Sequence, residues 1–166
     1  LHSSVQGEVG ALHRGFSSYG SHEFRNAPMW EIPIALRAEM PKNSVAVYFA
    51  NATRNRANDV DYVYHQDPNF YYLTGYKEAN AVLLVFSDKQ KSEKGNYNEL
   101  FYVQKRDARA EMWNGYRLGV EGVKRDLAFK QVFNGEDFAK LSIDFNKFDK
   151  VIFTDFKNDV RDDKRS

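Results

Sequence analysis

An α/β domain, with a mixed β-sheet flanked by helices, is the fold class this sequence predicts, and three observations predict it. Runs rich in β-branched and aromatic residues, each of strand length, stand at SVAVYFA (44–50), AVLLVFS (81–87) and ELFYV (99–103). Helix-period patterns follow between 108 and 145. A last strand-like run, KVIFTD (150–155), closes the series. Strands in a group, then helices, then one more strand pack most economically as helices on the faces of a mixed sheet.

Taken in order, residues 1–32 are rich in Ser, Gly and His without an apolar period and read as a poorly ordered arm. Pro33 suits the first turn of a short helix running to Met40, which Pro41 stops. The run 44–50 is a buried strand, and the polar stretch 51–61 reads as a long loop. Its Asn51-Ala52-Thr53 has the form of a glycosylation sequon.

DYVYHQDPNFYYLTGY (61–76) then sets six aromatic rings in sixteen residues. Within it Pro68 can begin a turn or short helical segment through Asn69 and Phe70, and Gly75 can supply the positive φ that ends it. After the second strand, KQKSEKGNYN (89–98) reads as a solvated connection to the third.

Two helical pieces follow: ARAEMWNG, stopped by Gly115, and VEGVKRDLA, which puts Val120, Val123 and Leu127 on one face. GEDFAKLSIDF (135–145) predicts another helix with Phe138, Leu141 and Phe145 as its stripe. Residues 33–155 thus form one domain, and 156–166, poor in apolar residues, read as the start of a linker.

Composition narrows the function classes. A chain of 166 residues fits one domain with a real core. The absence of cysteine excludes disulfides and thiolate-held metals. Twenty-four basic against 23 acidic residues provide no global field for a phosphate backbone, so nucleic acid is not an expected partner. No apolar run approaches the roughly 18 residues of a membrane span, so no membrane is expected either. Residue 1 is Leu rather than Met, which leaves the compartment open: cytoplasmic or, with a leader removed, periplasmic or secreted.

Local motifs carry little chemistry. His65 and Asp67 offer two metal ligands where three or four are needed, and His2, His13 and His22 lie in the arm. His22-Glu23 begins like a zinc-protease helix, but Asn26 stands where the second histidine belongs. No serine sits in a nucleophile elbow, and Gly115, Gly119 and Gly122 form neither a Walker loop nor a dinucleotide fingerprint. The pairs Asp59/Asp61 and Asp162/Asp163 read as solvated loop charges.

The aromatic stretch could stack bases, yet it holds no Lys or Arg. Burial of each ring, about 150–250 Å², favours packing, with His65, Gln66 and Asp67 as partners for buried hydroxyls.

Read together and in order, SVAVYFA, NDVDYVYHQDPNFYYLTGYKEANAVLLVF and RDARAEMWNGYRLGVEG resemble the N-terminal domain of Xaa-Pro aminopeptidases (aminopeptidase P), relatives of prolidase and creatinase. The resemblance runs from about Pro33 to Asp155. It departs at His65, where the family often has Arg, at Pro68, where it often has Ser, and at Glu78-Ala79, where a Glu-Pro pair is common.

The resemblance implies a creatinase/prolidase N-terminal fold with a ribonuclease H-like motif, without catalytic residues of its own. It implies a following catalytic domain of pita-bread fold that holds two divalent metal ions, manganese by expectation, and removes an N-terminal residue preceding proline. The first domain would support contacts with neighbouring subunits, in a dimer or tetramer, and shape substrate access.

By the same resemblance Trp113 matches a tryptophan that reaches toward a neighbouring substrate pocket. Asp59 matches an acid that pairs across the subunit boundary. On residue chemistry alone Trp113 is equally a core anchor and Asp59 a loop cap. Two other readings remain: a stand-alone module that binds a peptide or small ligand, and the N-terminal domain of a prolidase- or creatinase-type hydrolase.

Overall fold

The structure, a computed structural model, describes residues 32–53, 55–57, 60–61, 63–92 and 95–153. The expected arm and linker, and Asp59, lie outside the described residues, apart from Ile32, which opens the first helix. That helix, α1, spans Ile32–Glu39. It is followed by β1 (Ser44–Phe49), the short strands β2 (Asn55–Ala57) and β3 (Val60–Asp61), and α2 (Pro68–Thr74). A long hairpin of β4 (Val82–Ser92) and β5 (Gly95–Val103) comes next. Then come α3 (Ala108–Asn114), α4 (Gly119–Asp126), β6 (Val132–Asn134), two 3₁₀ turns and β7 (Lys150–Phe153).

The main sheet has the order β6-β5-β4-β1-β7. β4 runs antiparallel to both of its neighbours, while β1 pairs parallel with β7 and β5 parallel with β6. The sheet is therefore mixed, with β4 alone opposing the other four. Strands β1, β5, β6 and β7 all finish at one end of the sheet, the end where β4 begins. The loops after β1 and β5 leave from that end.

Period-two alternation divides the central strands between two cores. Ala46, Leu83, Val85, Phe101 and Val103 face a core closed by Ile32 and Leu36 of α1, Phe70 and Leu73 of α2, and Val123 of α4. Val45, Val47, Leu84, Phe86, Leu100 and Tyr102 face the other side, where Phe133, Phe138, Leu141, Ile143 and Phe148 cover them. Burial on both sides is why AVLLVF reads as an unbroken apolar run. On the helical side, Arg37 of α1 reaches Glu99 of β5 at 3.4 Å. Burial raises the Glu99 carboxyl, and Arg37 opposes that rise.

Four expectations are corrected. The polar loop 51–61 contains the two-stranded β2–β3 pair. The connection 89–98 is mostly strand: Gln90, Lys91 and Ser92 pair with Tyr97, Asn96 and Gly95 beyond a register shift. Among the described residues only β5 pairs with this part of β4, and Asp88, Lys89, Lys91 and Ser92 are exposed, so its sequence is polar like a loop.

The helix expected over 135–145 is instead a 3₁₀ turn at Gly135–Lys140, an extended residue at Leu141 (ψ 116°), and a second 3₁₀ turn at Phe145–Lys147. Phe138, Leu141, Ile143 and Phe148 all reach the sheet, a spacing that one regular helix could not satisfy. Phe145, placed in the expected stripe, is exposed. The three-residue β6 was too short to show a period.

Candidate functional site

The aromatic stretch folds into a hydrogen-bonded knot. Asp67 caps α2 by accepting from the Phe70 N–H at 2.8 Å, with Pro68 in the first turn. Gly75 leaves the helix at φ 67° and donates its N–H to Tyr71 O at 2.7 Å. Thr74, fully buried, donates its hydroxyl to Phe70 O and accepts from Tyr76 N. Phe70 and Tyr76 are both 0% exposed and pack against the Phe101 ring, with centroids 6.0 and 5.4 Å away.

Gln66 ties the stretch to its surroundings. Its Nε2 donates to Glu78 O at 2.8 Å and to Tyr76 O at 3.1 Å. Its Oε1 accepts from the Tyr64 hydroxyl, from Asn51 N and from Asp67 N. Burial, with Asp67 adding to it, pushes the Tyr64 phenol up to about 12.

Of the three partners expected for buried hydroxyls, Gln66 serves Tyr64 and Asp67 serves the helix. His65 is exposed and contributes its carbonyl, which accepts from Asn51 Nδ2 at 2.9 Å. The sequon's amide nitrogen is thereby engaged within the fold. Every buried side-chain nitrogen or oxygen among the described residues has a hydrogen-bond partner. The stretch is a folding unit.

Metal ligands do not assemble here: among the described residues, no group of three or more His, Asp or Glu is placed to hold an ion. A half-open cleft of about 640 Å³ lies at the strand end described above. Val82, Tyr102 and Phe138 give it an apolar lining, while Lys105, Arg117 and Glu136 supply charge of both signs.

Trp113 occupies the last turn of α3 and is 84% exposed, between Met112 at 82% and Tyr116 at 62%. It is therefore not a core anchor in this domain. Gly115, at φ 84°, ends the helix as its sequence predicts. Arg106 grips this segment, donating through Nε and Nη2 to the two carboxylate oxygens of Glu111, both at 2.9 Å. The same guanidinium lies 4.5 Å from the Tyr116 ring centre. Hydrogen bonding from Arg106 holds the Glu111 carboxyl below its ordinary range, and the guanidinium is raised in turn.

Sequence reasoning missed Glu78. Its Oε2 accepts from the Tyr76 hydroxyl at 2.7 Å, and its Oε1 accepts from the backbone N–H of Leu118 at 2.7 Å. One signal was available: residues two apart in an extended segment point the same way, so Tyr76 and Glu78 could meet. Leu118, forty residues on, could not have been read from the sequence. Burial first, and then the Glu78 hydrogen bond, raise the Tyr76 phenol well above its usual range.

Comparison with known proteins agrees with this architecture. The family model for the N-terminal domain of aminopeptidase P matches residues 34–152. A Xaa-Pro aminopeptidase of Haemophilus influenzae is 36% identical over 102 residues, covering 61% of this chain and 23% of that protein. Aminopeptidase P of Escherichia coli, solved with the inhibitor Pro-Leu, superposes with a TM-score of 0.66 at 25% identity, covering 78% of this chain and 29% of that one. The zinc-substituted Escherichia coli enzyme in complex with product gives a TM-score of 0.58 at 28% identity, covering 68% and 24%. The chain thus spans less than a third of the length of each of these relatives. With a family model matched across most of its length, this chain belongs to the aminopeptidase P N-terminal domain family.

Proposed function

We propose that this domain is the non-catalytic part of a metal-dependent Xaa-Pro aminopeptidase, supporting subunit contacts and narrowing the approach to an active site held elsewhere. The observation that carries the reading is the solvent-facing group Met112, Trp113 and Tyr116. Large apolar side chains clustered in the open mark surfaces that meet a partner or ligand. The segment bearing them follows β5 at the sheet end where β7 also finishes. The zinc-substituted relative supports a metal in the catalytic part. We expect two divalent ions there, manganese by preference, supplying a polarising charge for peptide hydrolysis. The described residues of this domain would not hold them.

In this reading Trp113 forms one wall of a neighbouring subunit's substrate entrance, excluding water and bulky chains beyond the proline. Asp59 pairs with a basic residue across the same boundary. The test uses the full-length enzyme. Trp113→Ala should lower kcat/KM for Xaa-Pro peptides or shift their length preference, with metal content unchanged. Wild-type kinetics across a series of peptide lengths would defeat the reading. Asp59→Asn should shift the sedimentation equilibrium toward smaller species, and an unchanged profile removes it from the interface.

A further inference from the structure

Trp113 is so exposed that its own side chain has little to hold it. A seven-residue helix is marginal in water, so the position of that ring has to be set by anchors on either side of it. Both anchors are present. Before and within α3, the two-pronged Arg106–Glu111 pair fixes the helix to the strand exit. After α3 the chain runs through Gly115, Tyr116 and Arg117 to Leu118, the N-cap position of α4, whose own side chain makes no capping hydrogen bond.

The missing acceptor comes from Glu78. Its carboxylate joins the Leu118 N–H to the hydroxyl of Tyr76, whose ring is locked in the core. A negative group at a helix start is also favoured by the helix dipole. The two anchors meet at Gly119. Its φ is 60°, and a Cβ there would stand 2.5 Å from Arg106 Cγ, so the Arg106 stem packs directly on the beginning of α4.

We propose that Glu78 is a positioning residue for substrate access: with Arg106 it clamps the Gly115–Leu118 link and so fixes where Trp113 stands. The proposal rests on the reading of Trp113 given above. Its physical content is preorganisation, because a wall that is already in place costs less ordering when substrate arrives.

The experiment uses full-length enzyme and two readouts. In Glu78→Ala, hydrogen exchange of the amides over 115–118 should quicken at least tenfold. The kcat/KM for a Xaa-Pro peptide should fall through the same parameter that Trp113→Ala affects. Glu78→Gln should recover part of both, since its amide oxygen still accepts one hydrogen bond. In a Trp113→Ala background the kinetic effect of Glu78→Ala should largely vanish, because both act through one ring.

Unchanged exchange over 115–118, or kinetic effects that simply add, would overturn the proposal. Should Glu78→Ala fail to fold, Tyr76→Phe/Glu78→Ala removes the hydroxyl that would be stranded and gives the same exchange readout. A kinetically silent Trp113→Ala alongside accelerated exchange in Glu78→Ala would sink the access reading while leaving the clamp itself in place.

Discussion

Tyr64–Tyr76 and Met112–Tyr116 are both aromatic-rich, both flanked by polar residues, and both attached to the same end of the sheet. They differ in where their rings go. In the first, Phe70 and Tyr76 are sealed against Phe101, and the polar atoms around them are consumed by Gln66, Asp67, Thr74 and Glu78. In the second, Met112, Trp113 and Tyr116 stay in solvent, held by a backbone that is pinned on both sides. Ring density in the sequence therefore says little about function. What separates a core unit from a contact surface is whether the chain spends its polar groups closing the rings in.

The comparison breaks most visibly if the first region tolerates truncation. Phe70→Ala removes a fully buried ring from between α2 and β5 and should cost about 3–5 kcal/mol, read from denaturant unfolding. A loss near zero would mean that the stretch is not the folding unit described.

Tyr76→Phe keeps the ring and deletes only the hydroxyl donated to Glu78. A cost of about 1–2 kcal/mol is expected, since the carboxylate keeps Leu118 and its freed oxygen can recruit water. A cost as large as that of Phe70→Ala would show that the knot depends on the hydrogen bond more than on the packing.

Alkaline pH tests ring burial at a third place, Tyr48 of β1. Burial pushes the Tyr48 phenol up to about 12 from an ordinary value of 10.0. Between those values the unfolded chain releases a proton that the folded one retains, so stability is unaffected below the lower value and falls as pH rises through the interval. Tyr48→Phe should flatten this decline in denaturant midpoints measured on either side of pH 10, whereas an equal slope in both proteins would show that Tyr48 is not the group responsible.

The strand and helix residues facing the core were legible in the sequence because their signals are local. Val45 to Ala50 and Ala81 to Phe86 are unbroken apolar runs of strand length, and Val120 with Val123 repeats at the helix period. The turn at Gly75 and the stop at Gly115 are equally local, whereas the cap at Asp67 emerged only in the structure. The far half of the β4–β5 hairpin was not legible, since its exposed polar residues mimic a loop. The 3₁₀ cover over 135–147 follows the sheet's shape rather than its own period. At the candidate site, Trp113 was visible through the family pattern, but its exposure was not. Glu78 and Arg106 act on residues that only folding brings near.

The smallest expected effect is the one on which the comparison turns. Trp113→Ala should leave the unfolding free energy within about 0.5 kcal/mol of wild type, because an 84% exposed side chain gives up little buried area when truncated. A tryptophan whose removal costs stability serves the fold, whereas one whose removal costs none has been left in the open for some other reason. Thermal melts of Trp113→Ala and Phe70→Ala, run side by side, place the two residues on one scale. A large loss from Trp113 would erase the difference between the two regions, and with it the basis for reading α3 as a surface that meets another subunit.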